Sequence, residues 1–136
     1  MAYGANGQTY EIVFDGGSLG NPGEGYGSYV IEGPDGYRAH EQLSFGNGVT
    51  NNQAEYMTLI AALAHLREEH LGTARQLRLV IRGDSQLVLN QLSGRYKVRN
   101  PGLAPLHREA GLLLETFGGY ELVWQPREKS VRVLGH

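Results

Sequence analysis

Three acidic residues in well-separated stretches of the chain have the chemistry to hold divalent cations. Asp15 ends an apolar, strand-like run and opens a glycine-rich turn, and Asp84 ends a second such run and opens a helix. Glu55 lies at the start of another helical pattern. A buried carboxylate is costly unless it is paired, and Mg²⁺ and Mn²⁺ prefer oxygen ligands. If the three side chains converge, they predict a site for two such ions about 4 Å apart, which suits phosphodiester hydrolysis.

Each of these acids also has a plainer interpretation. An isolated Asp before two glycines is usually a turn residue. Glu55 could form a capping box with Asn52, which lies three residues upstream. Asp84 followed by Ser85 is a natural helix start. The three motifs taken together favour metal ligation, and helix capping can coexist with it.

The elements expected to position the acids are strands and helices in a mixed order. Apolar patterning predicts strands at residues 9–14, 26–32, 37–45, 77–81 and 120–124. Helical spacing predicts helices at residues 52–70, 85–92 and 103–117, the first capped by Asn51 or Asn52. The order predicts an α/β (α+β mixed) fold with a five-stranded mixed sheet flanked by helices. It places Asp15 and Asp84 at the carboxyl ends of strands, and Trp124 is predicted to be a core residue.

The composition is that of an ordinary globular protein, and we expect a single domain over residues 1–136. The absence of cysteine excludes disulfides and thiolate-ligated metals. It also fits a reducing compartment, so we expect a cytoplasmic protein. No stretch is apolar enough to span a membrane, and residues 1–8 do not resemble a signal peptide.

The distribution of charge along the sequence is more informative than its sum. A formal net charge of −2 counts mildly against a nucleic-acid-binding protein. Basic side chains nevertheless form two clusters: Arg95, Lys97 and Arg99 around Tyr96, and Arg127, Lys129 and Arg132. The first cluster, with its interleaved aromatic residue, is a candidate for contacts with phosphates.

Over residues 9–129 the sequence resembles the type 1 ribonuclease H family. The resemblance depends on three motifs in the family's order and spacing: Asp-Gly-Gly-Ser-Leu-Gly-Asn-Pro-Gly at 15–23, Thr-Asn-Asn-Gln-Ala-Glu-Tyr at 50–56 and Gly-Asp-Ser-Gln-Leu-Val at 83–88. Residues 93–101 resemble members that lack the family's basic protrusion. The resemblance implies a ribonuclease H-like fold and a monomeric endonuclease.

The resemblance also implies a substrate, cofactors and site residues. The family hydrolyses the RNA strand of RNA–DNA hybrids with two Mg²⁺ ions, which Mn²⁺ can replace. By analogy Asp15 would contact both ions, and Glu55 and Asp84 would each contact one of them. The residues implied to bind the hybrid are Gly16, Gly17, Ser18, Asn21, Thr50, Asn51, Asn52, Gln86, Arg95 and Lys97. Uncharged amides suit the wide minor groove and the 2′-hydroxyl, and glycine lets the backbone approach a phosphate.

The end of the sequence departs from the family pattern. Ser130 stands where the family has Asn, and Leu134 stands where it has a fourth acidic ligand. The family's closing helix is therefore predicted to be missing or truncated. Three outcomes stay open: weak binding of one ion through Asp15, replacement of the ligand by His136 or the terminal carboxylate, or a domain that binds hybrids and cuts them poorly or not at all.

Overall fold

Five strands and four helices make up the described part of the chain. The computed structural model describes residues 8–135. The elements are β1 (Gln8–Gly20), β2 (Gly23–Glu32), β3 (Arg38–Val49), α1 (Asn51–Glu69), β4 (Leu77–Gly83), α2 (Gln86–Leu92), α3 (Ala104–Leu114), β5 (Gly119–Trp124) and α4 (Arg127–Leu134). Short 3₁₀ turns lie at Pro34–Gly36 and Ala74–Gln76. None of the helices within residues 8–135 has the length and apolar character needed to cross a bilayer.

The strands form one mixed sheet in the order β3-β2-β1-β4-β5. The β1–β2 and β2–β3 pairs are antiparallel, whereas the β1–β4 and β4–β5 pairs are parallel. The predicted mixed five-stranded sheet is thereby confirmed. The two parallel pairs matter for function, because they bring the carboxyl ends of β1 and β4 to the same edge of the sheet.

The main core lies between one face of the sheet and helices α1 to α3. Alternate residues of β1 such as Ile12 and Phe14 point into it and are fully buried, as expected for the period-two pattern of a strand. Leu59 and Leu63 of α1 meet them from the other side. A smaller cluster on the opposite face contains Val13, which comes from the other set of alternating residues.

Strand β1 is longer than its apolar run predicts. It continues through the glycine-rich segment and pairs with β2 as far as Gly20 and Gly23. The predicted turn opening at Asp15 is therefore wrong: Asp15 lies inside the strand, opposite Ser28. Strands pair through backbone hydrogen bonds, which glycine can make as well as any other residue except proline. The low strand propensity of glycine therefore did not indicate where β1 ends.

Residues Arg127–Leu134 form the short helix α4. The helix has 8 residues, so the closing element is present and short. It covers the second face of the sheet, where Leu134 packs with Val13 and Val30. Leu134 is only 1% exposed. The residue at the position of the family's fourth acid is thus an apolar anchor for the helix.

Candidate active site

The side chains of Asp15, Glu55 and Asp84 converge at the carboxyl edge of the parallel strands. Each offers a carboxylate oxygen, and these oxygens all lie within 4.8 Å of one another. The parallel register pairs Val13 with Arg82. Two residues further along, the same offset sets Asp15 beside Asp84. Glu55 joins them from the beginning of α1.

The N-terminus of α1 is held by a capping box that leaves Glu55 available. The cap is Thr50, whose hydroxyl accepts from the Gln53 N–H at 3.1 Å, while the Gln53 side chain accepts from the Thr50 N–H at 2.9 Å. The prediction that Asn51 or Asn52 caps this helix is wrong, and the alternative of a capping box between Asn52 and Glu55 is not the one that forms. Because Gln53 makes the reciprocal bond, the Glu55 carboxylate has no capping role.

Glu55 is tied instead to strand β1. Its Oε1 accepts a hydrogen bond from the Gly16 N–H at 2.9 Å. A Cβ atom on Gly16 would lie 2.5 Å from the Ala54 carbonyl oxygen, so only glycine allows the strand and the helix to approach this closely. The glycine predicted to face a phosphate thus has a structural role as well.

Two asparagines link the same regions through their side chains. The Asn21 Oδ1 accepts from the Asn51 N–H at 3.0 Å. The Asn51 Oδ1 in turn accepts from the Ser18 N–H at 2.8 Å. These bonds join the β1–β2 turn to the start of α1, so three of the predicted substrate-binding residues form one connected rim beside the carboxylates.

The electrostatics of the site favour added positive charge. Burial, followed by the neighbouring carboxylates of Asp15 and Asp84, raises the pKa of Glu55 to about 9, despite the opposing effects of the Gly16 N–H and Arg127. Asp15 and Glu55 are both buried. Three crowded carboxylates in a desolvated position repel one another, and a divalent cation relieves that repulsion. The donor set is all oxygen, which fits Mg²⁺ or Mn²⁺.

Arg127 is a site residue that the sequence analysis assigned only to a basic cluster. It is the first residue of α4, and its guanidinium Nη1 lies 4.0 Å from the Asp84 Oδ2. Its side chain is 65% exposed. The only feature of the sequence that could have pointed to Arg127 as a site residue is its position three residues after the last predicted strand. No local pattern indicates that α4 begins beside β4.

The remaining predicted hybrid-binding residues fall into separate surface grooves. Asn21, Thr50 and Asn52 line one groove with Asn100, and Gln86 and Arg95 line a second with Trp124. Lys97 belongs to a third groove, along α3. The structure therefore places Arg95 and Lys97 in different grooves.

Gly17 is buried against Tyr26, since a Cβ atom added to Gly17 would lie 2.6 Å from the Tyr26 hydroxyl oxygen.

Trp124 is not the core residue that we predicted. It is 49% exposed, and its indole Nε1–H donates to the Asp84 backbone carbonyl at 3.2 Å. It lies in the final position of β5, paired with Gly83. An aromatic residue at the end of a strand, beside an open groove, can bury only one face of its ring. The hydrophobic pattern of the strand does not show that such a groove lies beside it.

The expected fourth ligand is absent from the cluster of carboxylates found among residues 8–135. Leu134 is buried among valines, and Ser130 accepts a hydrogen bond from the Gln125 side chain at 3.0 Å. His136, named as a possible replacement ligand, lies outside the described residues. The described part of the site consists of three carboxylates and one arginine.

A mixed five-stranded sheet with this helix arrangement is the ribonuclease H-like fold. More particularly, the chain belongs to the family described as reverse transcriptase-like, which it matches over residues 13–133. Within the fold its solved neighbours are type 1 ribonucleases H. The structure of ribonuclease H1 from Halobacterium salinarum is 36% identical and superposes with a TM-score of 0.81, covering 91% of this chain and 90% of that one.

Other relatives agree with this placement. LC11 ribonuclease H1, solved in complex with an RNA/DNA hybrid, is 31% identical with a TM-score of 0.82 over 90% of this chain and 89% of its own. Ribonuclease HI of Halobacterium salinarum is 36% identical over 93% of this chain and 61% of its own length. A bifunctional protein of Mycobacterium tuberculosis is 38% identical over 88% of this chain. This chain matches only 32% of the length of that mycobacterial protein.

Proposed function

We propose that this protein hydrolyses the RNA strand of RNA–DNA hybrids in a reaction that requires divalent metal ions. The observation that carries the proposal is the convergence of Asp15, Glu55 and Asp84, whose carboxylate oxygens lie within 4.8 Å of one another. The fold around them is shared with ribonucleases H of more than 30% identity. One of those relatives was solved with an RNA/DNA hybrid bound.

The rim of amide and hydroxyl side chains supports a hybrid as the substrate. Asn21, Thr50 and Asn52 line a groove at the start of α1, next to the carboxylates. Such groups can donate to and accept from base edges and 2′-hydroxyls in a wide minor groove. The Asn51 N–H donates to the Asn21 Oδ1, and the Ser18 N–H donates to the Asn51 Oδ1. These bonds hold the asparagines in place before substrate arrives, which reduces the ordering cost of binding.

Asp15, Glu55 and Asp84 would hold the metal ions. Bound there, divalent cations would stabilise charge on the scissile phosphate and make water a better nucleophile at neutral pH. The protein's own contribution is positional. The Gly16 N–H fixes the Glu55 carboxylate at 2.9 Å, and the parallel strands fix the spacing of the two aspartates.

Arg127 would act on the substrate side of the site. Its guanidinium is close to Asp84 and largely exposed, so it can reach a phosphate that enters the site while it stays near the carboxylate. A planar guanidinium matches phosphate oxygens in a bidentate manner. We propose that Arg127 orients the scissile phosphate and offsets its growing negative charge.

The test is cleavage of an end-labelled RNA–DNA hybrid in Mg²⁺, in Mn²⁺ and in chelator, with duplex RNA and duplex DNA as comparison substrates. We expect cleavage of the RNA strand of the hybrid only, and only with metal. Asp15→Asn should reduce the rate by more than about a hundredfold, because a lost ligand removes several kcal/mol of charge stabilisation. Asp35→Asn changes an exposed acid in the turn before β3 and should leave the rate unchanged. Equal rates for Asp15→Asn and the wild type would refute the proposal.

One observation favours a second candidate, a module that binds hybrids without cutting them. Leu134 stands where the sequence resemblance implies a fourth acid, and it is buried against Val13 and Val30. A leucine side chain cannot ligate an ion. This candidate predicts hybrid binding that weakens with salt and no turnover even in Mn²⁺. Binding without cleavage by the wild-type protein would select it.

A further inference from the structure

We propose that Trp124 is a positioning residue for Asp84, one of the three carboxylates that would hold metal ions. The indole N–H of Trp124 holds the backbone of Asp84, so that the carboxylate keeps its direction before an ion binds. This inference rests on the proposed function, because it concerns the metal affinity of the same site. Metal affinity can be measured without any cleavage.

Asp84 needs such support because it lies beyond the paired part of the sheet. The parallel strands bring it beside Asp15, but the pairing of β1 with β4 ends at Arg82 and that of β4 with β5 ends at Gly83. Asp15, in contrast, lies within β1 and is paired with Ser28 of β2. Strand pairing therefore fixes the backbone of Asp15, whereas Asp84 stands one residue past the last paired position of its strand.

The end of β5 supplies the additional constraint. The Trp124 Nε1–H donates to the Asp84 carbonyl oxygen at 3.2 Å, and the backbone N–H of the next residue, Gln125, donates to the Gly83 carbonyl oxygen at 2.9 Å. The peptide groups on both sides of the Asp84 Cα are thus held from the neighbouring strand. Because each peptide group is planar, holding both of them sets the direction in which the Asp84 side chain leaves the backbone.

The segment that carries these donors is itself anchored to α4. Gln125 and Ser130 are both buried, and the Gln125 side chain donates to the Ser130 hydroxyl at 3.0 Å. Two residues after Gln125, the Arg127 guanidinium lies 4.0 Å from the Asp84 carboxylate. One short segment therefore contacts both the backbone and the carboxylate of Asp84, and the indole contributes the contact that fixes the backbone.

The surface location of this bond predicts an effect on metal binding rather than on folding. Trp124 is 49% exposed, so water can bond to the Asp84 carbonyl if the indole N–H is removed. Water replaces the hydrogen bond without fixing its direction. Groups that hold metal ligands from behind typically contribute about ten- to a hundredfold in metal affinity. The indole acts through the backbone rather than on the carboxylate, so we expect a smaller contribution of about three- to tenfold.

The experiment measures Mn²⁺ binding by the full chain from the electron paramagnetic resonance signal of the free ion. Asp84→Asn gives the binding that remains when this carboxylate is lost. Trp124→Phe keeps an aromatic ring and loses the N–H, and it should raise the dissociation constant about three- to tenfold. Its midpoint of urea unfolding, measured in chelator, should stay near that of the wild type because water then satisfies the carbonyl.

Trp124→His tests whether the N–H group is what matters. The imidazole Nε2 has the same position in its five-membered ring as the indole Nε1, and at about pH 8 the imidazole is neutral and can carry a proton there. This variant should bind Mn²⁺ within about twofold of the wild type. The matched control is Tyr120→Phe, which removes a polar group from an exposed aromatic residue on the same face of β5. The control should bind Mn²⁺ as the wild type does.

Two results would overturn the positioning role. Equal losses of Mn²⁺ affinity in the Phe and His variants of Trp124 would assign the effect to the size of the indole ring. Wild-type affinity in Trp124→Phe would show that the bond to the Asp84 carbonyl does not orient the carboxylate.

These results are distinguishable from a failure of the proposed function. A wild-type protein that binds Mn²⁺ more weakly when Trp124 is replaced by Phe, and that cuts no hybrid, refutes the nuclease and upholds the positioning role. A wild-type protein that cuts the hybrid, with Trp124→Phe binding Mn²⁺ equally well, overturns the positioning role alone.

Discussion

Glu55 is the residue whose protonation depends most on the site around it. Burial and the two neighbouring aspartates raise its pKa from 4.5 to about 9. In the absence of metal the folded protein therefore keeps a proton on Glu55 at neutral pH, whereas the unfolded chain does not. Any cation that enters the site has to displace that proton, which couples metal binding to pH.

The same shift predicts how stability varies with pH. Between the unfolded pKa of 4.5 and the folded pKa of about 9, the native state binds one more proton than the unfolded state, so the free energy of unfolding falls as pH rises. The measurement is urea denaturation of the metal-free protein, with a chelator present. Between about pH 6 and pH 8 the free energy of unfolding of Glu55→Gln should decrease less than that of the wild type. The difference should approach about 1.4 kcal/mol per pH unit. Identical pH slopes in the two proteins would contradict the raised pKa.

Gly16 is the second residue on which the site depends. An added Cβ would meet the Ala54 carbonyl oxygen at 2.5 Å and the Glu55 backbone nitrogen at 2.8 Å, and backbone atoms cannot move aside as a flexible side chain can. Gly16→Ala should therefore lower the free energy of unfolding by about 1–3 kcal/mol and reduce hybrid cleavage along with it. Chemical denaturation and the cleavage assay measure the two effects.

Gly111 provides the control for that substitution. It lies within α3, and a Cβ there would meet nothing within 4 Å apart from its chain neighbours and the backbone of its own helix. Gly111→Ala should be neutral or stabilising by up to about 1 kcal/mol, because alanine loses less entropy in a helix. If both substitutions had the same effect, the close approach of β1 and α1 would not be what requires glycine at position 16.

Among the elements, α4 shows how a short helix can be stabilised by an apolar side chain that it buries against the sheet. The helix presents Leu134 to Val13 and Val30, and Leu134 is 1% exposed. Leu134→Asp would bury a carboxylate among apolar groups, which costs more than the packing it replaces. We expect this variant to lose more than about 2 kcal/mol of unfolding free energy, measured by thermal or urea denaturation.

The exposed Leu112 of α3 offers the same chemical change without burial. It is 61% exposed, so Leu112→Asp should alter stability by no more than about 0.5 kcal/mol. Comparable losses in the two variants would show that Leu134 does not anchor α4.

For the molecule as a whole, the net charge of −2 conceals an uneven distribution. Acidic groups converge at the candidate metal site, while Arg95 and Lys97 line separate exposed grooves. Association with a hybrid therefore depends on local cations rather than on the sum of charges. Bound divalent ions would further reduce the local negative charge that a phosphate meets.

Salt dependence tests that interpretation. If Lys97 contacts a phosphate, Lys97→Gln should make the slope of log affinity against log salt shallower by about one, with a uniform loss across hybrid sequences. Arg75→Gln removes the same charge in the turn after α1, at the far end of that helix from Glu55, and should leave the slope unchanged. Titrations of a labelled hybrid at several salt concentrations give both slopes. An unaltered slope for Lys97→Gln would place the α3 groove outside the hybrid interface.

Local chemistry was enough to predict which three acids could converge, the order of the strands along the chain and the first three helices. Those features follow from residue type and from periods of two and 3.6, which depend on near neighbours in the chain. The extension of β1 through its glycines was not predictable in this way, because pairing with β2 supplies hydrogen bonds that side-chain propensity does not encode.

The partners of each side chain depended on contacts between distant segments. The bond from the Gly16 N–H to Glu55 and the approach of Arg127 to Asp84 both join residues whose relative positions are set by the sheet register and by helix packing. The environments of Trp124 and Leu134 also depended on packing. Trp124, at the end of a strand, is largely exposed, whereas Leu134, at the position of an expected ligand, is buried. Residue type and spacing were sufficient to propose which atoms could hold a cation, whereas burial, and with it the electrostatic energy of those atoms, arises only when the elements pack together.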